Sequence, residues 1–232
     1  MRKRNSRWTS LALLGCLGAA MALGACSHKQ VTGEAPAQAG QPDTPLIQAA
    51  ASGKADTVKQ LLAQGSDPNA KGEGDTTALL AAVQSGSLPA VNVLLASKAD
   101  PNVADDSNQT PLILAARTGR APIVAALLEK GAKADASPSG QTALMIAIDQ
   151  GHPGVAQELI AHGANVNAKD KSGRTVLQYA IYRGDVQTAK DLIAHKADVN
   201  AKGDFNGTPL QTALKTKHTA LVDLLKKAGA KD

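Results

Sequence analysis

The chain has 232 residues, with 25 Lys and Arg against 20 Asp and Glu, and only four aromatic residues. Four of the basic residues, Arg2, Lys3, Arg4 and Arg7, crowd the N-terminus, and without them 21 bases face 20 acids, about +1. That balance excludes the basic stripe of a nucleic-acid binder, and the scarcity of aromatics leaves the core to alanine, leucine, isoleucine and valine.

Residues 1–25 read as an export signal. A basic start, MRKRNSR, leads into an apolar run from Trp8 rich in Leu, Ala and Gly, too short and small-residued for a membrane span. The run ends Leu23-Gly24-Ala25-Cys26, which resembles a bacterial lipobox, where small residues admit the peptidase that cleaves before a lipid-modified thiol. The resemblance implies lipidation of Cys26 and a protein hung from a bilayer by acyl chains, above the two-signal threshold for stable anchoring. Ser27 in place of aspartate favours the outer membrane, by analogy with lipoprotein sorting, with the protein facing the periplasm. The alternatives are an ordinary secretory signal cut near Ala25 and an uncleaved anchor. Cys16, after Leu13-Leu14-Gly15, fits less well because it leaves a short apolar run. Cys16 and Cys26 are the only cysteines, so no disulfide is available to the rest of the chain.

Residues 26–42 then read as the lipidated cysteine and a tether. SHKQVTGEAPAQAGQP has no apolar period, and a flexible segment of that length reaches roughly 20–25 Å. It is a spacer rather than a recognition motif.

From residue 43 to 232 the sequence repeats itself. A threonine followed two residues later by leucine recurs at Thr44, Thr77, Thr110, Thr142, Thr175 and Thr208, at intervals of 33, 33, 32, 33 and 33 residues. A period of that size means a stacked array. Threonine suits a helix N-cap, and Pro45, Pro111 and Pro209 sit where a first helical position lacks an intrahelical N–H partner anyway. A first short helix from Pro111 to Thr118 is predicted, then a second from about Pro122 carrying Ile123, Val124, Leu127 and Leu128 on one face and stopping at Gly131. The polar residues before the next threonine predict a projecting β-turn or hairpin finger. The expected fold is an all-α repeat solenoid of six helix pairs with fingers, starting near residues 43, 72, 105, 137, 170 and 203. No unit can bury its apolar face alone.

Gly140 to Ala168 and Gly173 to Ala201 carry almost whole the pattern G-x-T-P-L-H-x-A-A, a G-H pair, V-x-x-L-L and G-A-D-x-N-A, and on these residues the chain is similar to the ankyrin family. Two departures matter. The histidine expected after T-P-L is Ile47, Leu80, Ile113, Met145, Gln178 and Gln211 here, so its inter-repeat hydrogen bond is absent or made by glutamine. Lys98 and Lys196 replace the glycine after the second helix, where a left-handed backbone costs each on the order of 1 kcal/mol. The 32-residue interval places a deletion in the finger around Ser137-Pro138-Ser139.

The five histidines follow the framework instead of a metal or acid–base site. His152 and His218 fall at the G-H position. His162 and His195 lie at equivalent ends of second helices, where a partly charged imidazole suits the helix terminus. Repeats stack roughly 10 Å apart, too far for both to ligate one ion at about 2 Å. His28 is in the tether. No nucleophile elbow, H-E-x-x-H, P-loop or cysteine pair appears, so neither an enzyme nor a cofactor is expected. Asn108-Gln109-Thr110 and Asn206-Gly207-Thr208 are turns before a cap threonine.

The resemblance implies a protein partner held on a concave face made by the fingers and the first helices, with the chain otherwise a monomer. Carried over position by position, the contact residues are Arg117, Asp149, Gln150, Tyr182, Arg183 and Lys215 at the ends of first helices, with Arg174 and Phe205 on fingers. The N-terminal half offers small polar groups, whereas Tyr182, Arg183, Arg174 and Phe205 are the types that dominate interfaces. Tyr179 falls at a position apolar in other copies (Ala81, Leu114, Ile146) and is read as packing. The role expected is an adaptor or protector of an envelope enzyme, as the resemblance links such exported proteins with oxidative stress. The alternative is an inhibitor or immunity protein against a toxin delivered to the periplasm; a small-molecule binder lacks a closed pocket.

Overall fold

The structure is a computed structural model that describes residues 43–203 and 207–231. Six helix pairs follow one another. The first three are α1 (Pro45–Ala51) with α2 (Ala55–Ala63), α3 (Ala78–Ser85) with α4 (Leu88–Ala96), and α5 (Pro111–Arg117) with α6 (Ala121–Glu129). The last three are α7 (Ala143–Gln150) with α8 (Pro153–Ala161), α9 (Val176–Arg183) with α10 (Val186–Ala194), and α11 (Pro209–Lys215) with α12 (Thr219–Lys227). The fingers between pairs hold no strand among the described residues. The expected hairpins reduce to one 3₁₀ turn, Glu73–Asp75, and two antiparallel bridges, Lys71 with Thr77 and Lys169 with Thr175.

Each first helix starts as its threonine dictates. The hydroxyls of Thr44, Thr77, Thr110 and Thr142 accept from the amide three residues on at 3.3 Å, and those of Thr175 and Thr208 do so at 3.2 Å. Such a cap contributes about 1 kcal/mol. Glycines at the ends of first helices take the left-handed conformation (Gly86 φ 74°, Gly151 φ 74°, Gly184 φ 69°) and release the chain into the second helix.

First helices pack on first helices and second on second, so the core is one continuous strip. The first helices are sandwiched: all residues from Ala143 to Ile148 are buried in α7. The second helices bury one face, as Ala90, Val91, Leu94 and Leu95 do in α4. Burying a leucine or valine side chain contributes about 1.5–3 kcal/mol, and here a neighbouring repeat supplies the burial.

A polar ladder runs along the same joints. Asn69, Asn102, Asn167 and Asn200 each donate Nδ2–H to a backbone oxygen of the next repeat (Lys98, Gly131, Lys196 and Gly229) at 3.2, 3.1, 3.2 and 3.3 Å. Their Oδ1 atoms accept from the amides of Asp100, Lys133, Asp198 and Lys231 at 2.8–2.9 Å. At the equivalent place Asp135 accepts from the Asn165 amide at 2.8 Å, but an ionised carboxylate has no N–H for the Gly163 carbonyl.

Lys98 and Lys196 are left-handed as expected, both at φ 67°. Lys217, at φ 59°, is a third left-handed lysine that the sequence reading missed; it occupies in the sixth pair the place that Gly184 fills in the fifth, and Asp75 and Asn108 in the fingers are left-handed too, both at φ 58°.

Candidate protein-binding face

Arg117, Asp149, Gln150, Tyr182, Arg183 and Lys215 all lie at the ends of first helices with exposed side chains. Gln150 Nε2 donates to Asp149 Oδ2 at 3.2 Å, so these two form one polar unit. Phe205 and Cys26 lie outside the described residues.

The finger before α9 brings three of the relevant residues together. The Arg174 guanidinium lies 5.2 Å from the ring centroid of Tyr179 and 4.7 Å from that of Tyr182, close enough to both for cation–π attraction. Tyr182 is 44% exposed, so the outer ring of this stack faces solvent. The inner ring belongs to Tyr179, which is buried as the apolar register demands, yet its hydroxyl is fully engaged. It donates to Asp170 Oδ2 at 2.7 Å and accepts from Gln141 Nε2 at 2.7 Å. Asp170 Oδ1 in turn accepts from the amides of Ser172 and Arg174 at 2.8 and 2.9 Å. A carboxylate with three donors fixes the finger, and the finger fixes Arg174. Burial raises the Tyr179 phenol above its ordinary value, and the hydrogen bond to the Asp170 carboxylate raises it further.

Arg183 does not join this stack in the way its neighbour does. Its guanidinium lies over Gly151 of the preceding pair, where an added Cβ would come within 2.6 Å of Nη2. Other joints repeat the arrangement with different side chains. Arg120 covers Gly86, His152 covers Gly119 and His218 covers Gly184, with Cβ approaches of 2.7, 2.7 and 2.8 Å. His152 Nε2 also lies 3.1 Å from the Arg117 carbonyl oxygen. In the fifth pair the covering position is Asp185, which turns instead to its own helix, accepting from the Thr188 amide at 3.0 Å and its hydroxyl at 2.6 Å. Arg183 supplies the cover that Asp185 gives up. The signal was in the sequence, since aspartate stands where other copies have histidine, arginine or serine.

The other two histidines among the described residues, His162 and His195, sit at the C-terminal ends of α8 and α10, and His28 lies outside the described residues. Nδ1 of His162 and of His195 lie 2.9 and 2.8 Å from the Glu158 and Asp191 carbonyl oxygens of the same last turn. Among the described residues no three His, Cys, Asp or Glu side chains gather as metal ligands, and no helix is long and apolar enough to cross a membrane.

A second feature of this face escaped the sequence reading. An open groove of about 520 Å³ runs between the fingers and first helices of the first three pairs, with Ala51, Ala81 and Leu114 on its helix side and Asp43 and Asp105 on its finger side. Reading for arginine and aromatics passes over it, because its lining holds neither.

The family model described as ankyrin repeats (3 copies) matches residues 19–105, 79–170 and 158–232. Solved structures agree. An ankyrin repeat domain from Acinetobacter baumannii is 32% identical with a TM-score of 0.77, covering 81% of this chain and 98% of that one. The human ASB11 ankyrin repeat domain is 30% identical with a TM-score of 0.71, over 82% of this chain and 85% of that one. The ankyrin repeat domain of Bcl-3, described as a unique member of the IkappaB protein family, is 28% identical with a TM-score of 0.76, over 82% and 88%. A comparison with curated protein sequences returned no match. Matched along its repeats in sequence and over four-fifths of its length in structure, the chain belongs to the ankyrin-repeat family, whose domains mediate protein–protein interaction.

Proposed function

We propose that this is a non-catalytic binding protein, tethered through Cys26 to the periplasmic side of the outer membrane, that captures a partner protein on the face made by its first helices and fingers. The observation that carries the reading is the Tyr179–Arg174–Tyr182 stack. An arginine already in contact with two rings has little further freedom to lose on binding, and arginine and tyrosine are among the side chains most enriched at interface hot spots. With Lys171 and Lys215 on the same row of fingers and helix ends, the C-terminal pairs suit an acidic or mixed patch on the partner. The tether reading rests on the basic start, apolar run and Leu23-Gly24-Ala25-Cys26. An adaptor for an envelope enzyme is the role it fits best.

Photocrosslinking from position 182 in intact cells, followed by mass spectrometry of the envelope, tests the face. Recovery of a partner from position 182 but not from Lys59 on α2 supports it, and equal yields from both sites sink it. For the tether, Cys26→Ala should move the protein from the membrane to the soluble fraction; retention in the membrane would rule out the acyl anchor.

A further inference from the structure

The groove over the first three pairs goes beyond this reading, since it lies on other repeats and favours the opposite charge. We infer that it is a docking site for an extended segment of a partner protein in which a basic side chain neighbours an aliphatic one.

Its wall is built. Asp106 donates its amide to the Gly74 carbonyl at 3.0 Å, joining one finger to the next, and Asp43 Oδ1 accepts from the Glu73 amide at 3.3 Å. Gly72 makes this closeness possible: a Cβ there would overlap the Asp43 carboxylate and come within 2.8 Å of Ile47 Cδ1. Two carboxylates, Asp43 and Asp105, line the groove, and among the described residues no base does; the fingers that carry this wall add acids around it. The two fingers from Ser66 to Thr77 and from Ala99 to Thr110 carry Asp67, Glu73, Asp75, Asp100, Asp105 and Asp106, and Lys71 is their one base, paired with Asp75 at 3.1 Å. Two pairs further along, the finger from Ala164 to Thr175 reverses the sign, with Lys169, Lys171 and Arg174 against Asp170.

Carboxylates on the finger side face a helix side that is mostly carbon (Ile47, Ala51, Leu80, Ala81 and Leu114, with Gln84 and Ser85 at the end of α3), a pattern that successive side chains of an extended strand can meet, one pointing to each. Carboxylates at the rim also steer a basic segment inward, an effect that salt weakens.

The test uses the full chain and fluorescence anisotropy with a labelled octapeptide of two arginines alternating with two leucines among glycines. One control peptide has glutamate for arginine and another has serine for leucine. D43N/D105N keeps the oxygen acceptors that hold the fingers and removes only charge, while A51F fills the groove from an exposed position. Saturable binding of the arginine–leucine peptide is expected, weakened about fivefold or more in D43N/D105N and in A51F, weak with either control peptide, and unchanged in R174A/Y182A. No binding, equal binding of the glutamate peptide, equal affinity for D43N/D105N, or loss in R174A/Y182A would each overturn the assignment. So would a dimer of the chain alone that dissociates in D43N/D105N, which would make a second copy the occupant. None of these outcomes touches capture at Tyr182, which is read with the R174A/Y182A variant and the partner itself.

Discussion

The Gln178 carboxamide ties the fifth helix pair to the sixth: its Nε2 donates to Thr212 Oγ1 at 3.1 Å and to the Gly207 carbonyl at 3.2 Å. Its Oε1 meanwhile accepts from the Thr175 amide at 3.0 Å, closing a capping box on its own helix. The side chain is 0% exposed and fully satisfied. Gly203 leaves the room, since a Cβ there would overlap the carboxamide. Gln178→Leu should therefore lower stability by about 2 kcal/mol, because buried groups lose their partners while volume is kept. Urea unfolding measures this, and faster amide exchange in α11 than in α5 locates it. An unchanged midpoint would show that the joint does not depend on this residue.

Asp135 marks the weak rung of the asparagine ladder. Asp135→Asn supplies the missing N–H for the Gly163 carbonyl while retaining the acceptor used by the Asn165 amide, and should stabilise the array by about 1 kcal/mol. A thermal melt showing no rise would contradict the ladder as a source of stability.

Lys196 sits at φ 67°, a conformation that costs a side-chain-bearing residue about 1 kcal/mol. Lys196→Gly should raise the unfolding midpoint, offset in part by the extra freedom glycine gives the unfolded chain. Lys196→Ala, which keeps the Cβ, should not. Equal effects of the two would assign the gain to lost charge instead.

Tyr179 gives stability a pH dependence at the alkaline end. Its phenol holds its proton more tightly in the folded chain than its ordinary value near 10 allows in the unfolded one. The contribution is thus full below about pH 10 and is lost as pH climbs through the raised folded value. Unfolding free energy should fall more steeply above about pH 10 in the wild type than in Tyr179→Phe. Parallel slopes would remove the Asp170–Tyr179–Gln141 network from the account.

Most of the fold was legible because a 33-residue period leaves one solution for burying its apolar faces, and each threonine is found capping the helix it announces. Legibility failed where one joint differs from the next. Arg183 is exposed at the end of α9, as its position in the repeat implies, but that its guanidinium lies over Gly151 while Asp185 caps its own helix is a relation between residues of two pairs. Tyr179 was read as packing, which its burial confirms; the hydroxyl network depends on Asp170 and Gln141 from two fingers, a relation the linear sequence does not display. The N-terminal groove draws Asp43, Asp105 and apolar side chains from three helix pairs, a juxtaposition the linear sequence does not display.

The most direct test of partner capture is a titration of the crosslinked partner, once identified and purified, against the wild-type chain and R174A/Y182A, with Lys59→Ala as control. The account predicts a rise in Kd of about 30-fold, the 2 kcal/mol of a hot spot, with no change for Lys59→Ala. The same Kd for all three proteins would contradict it.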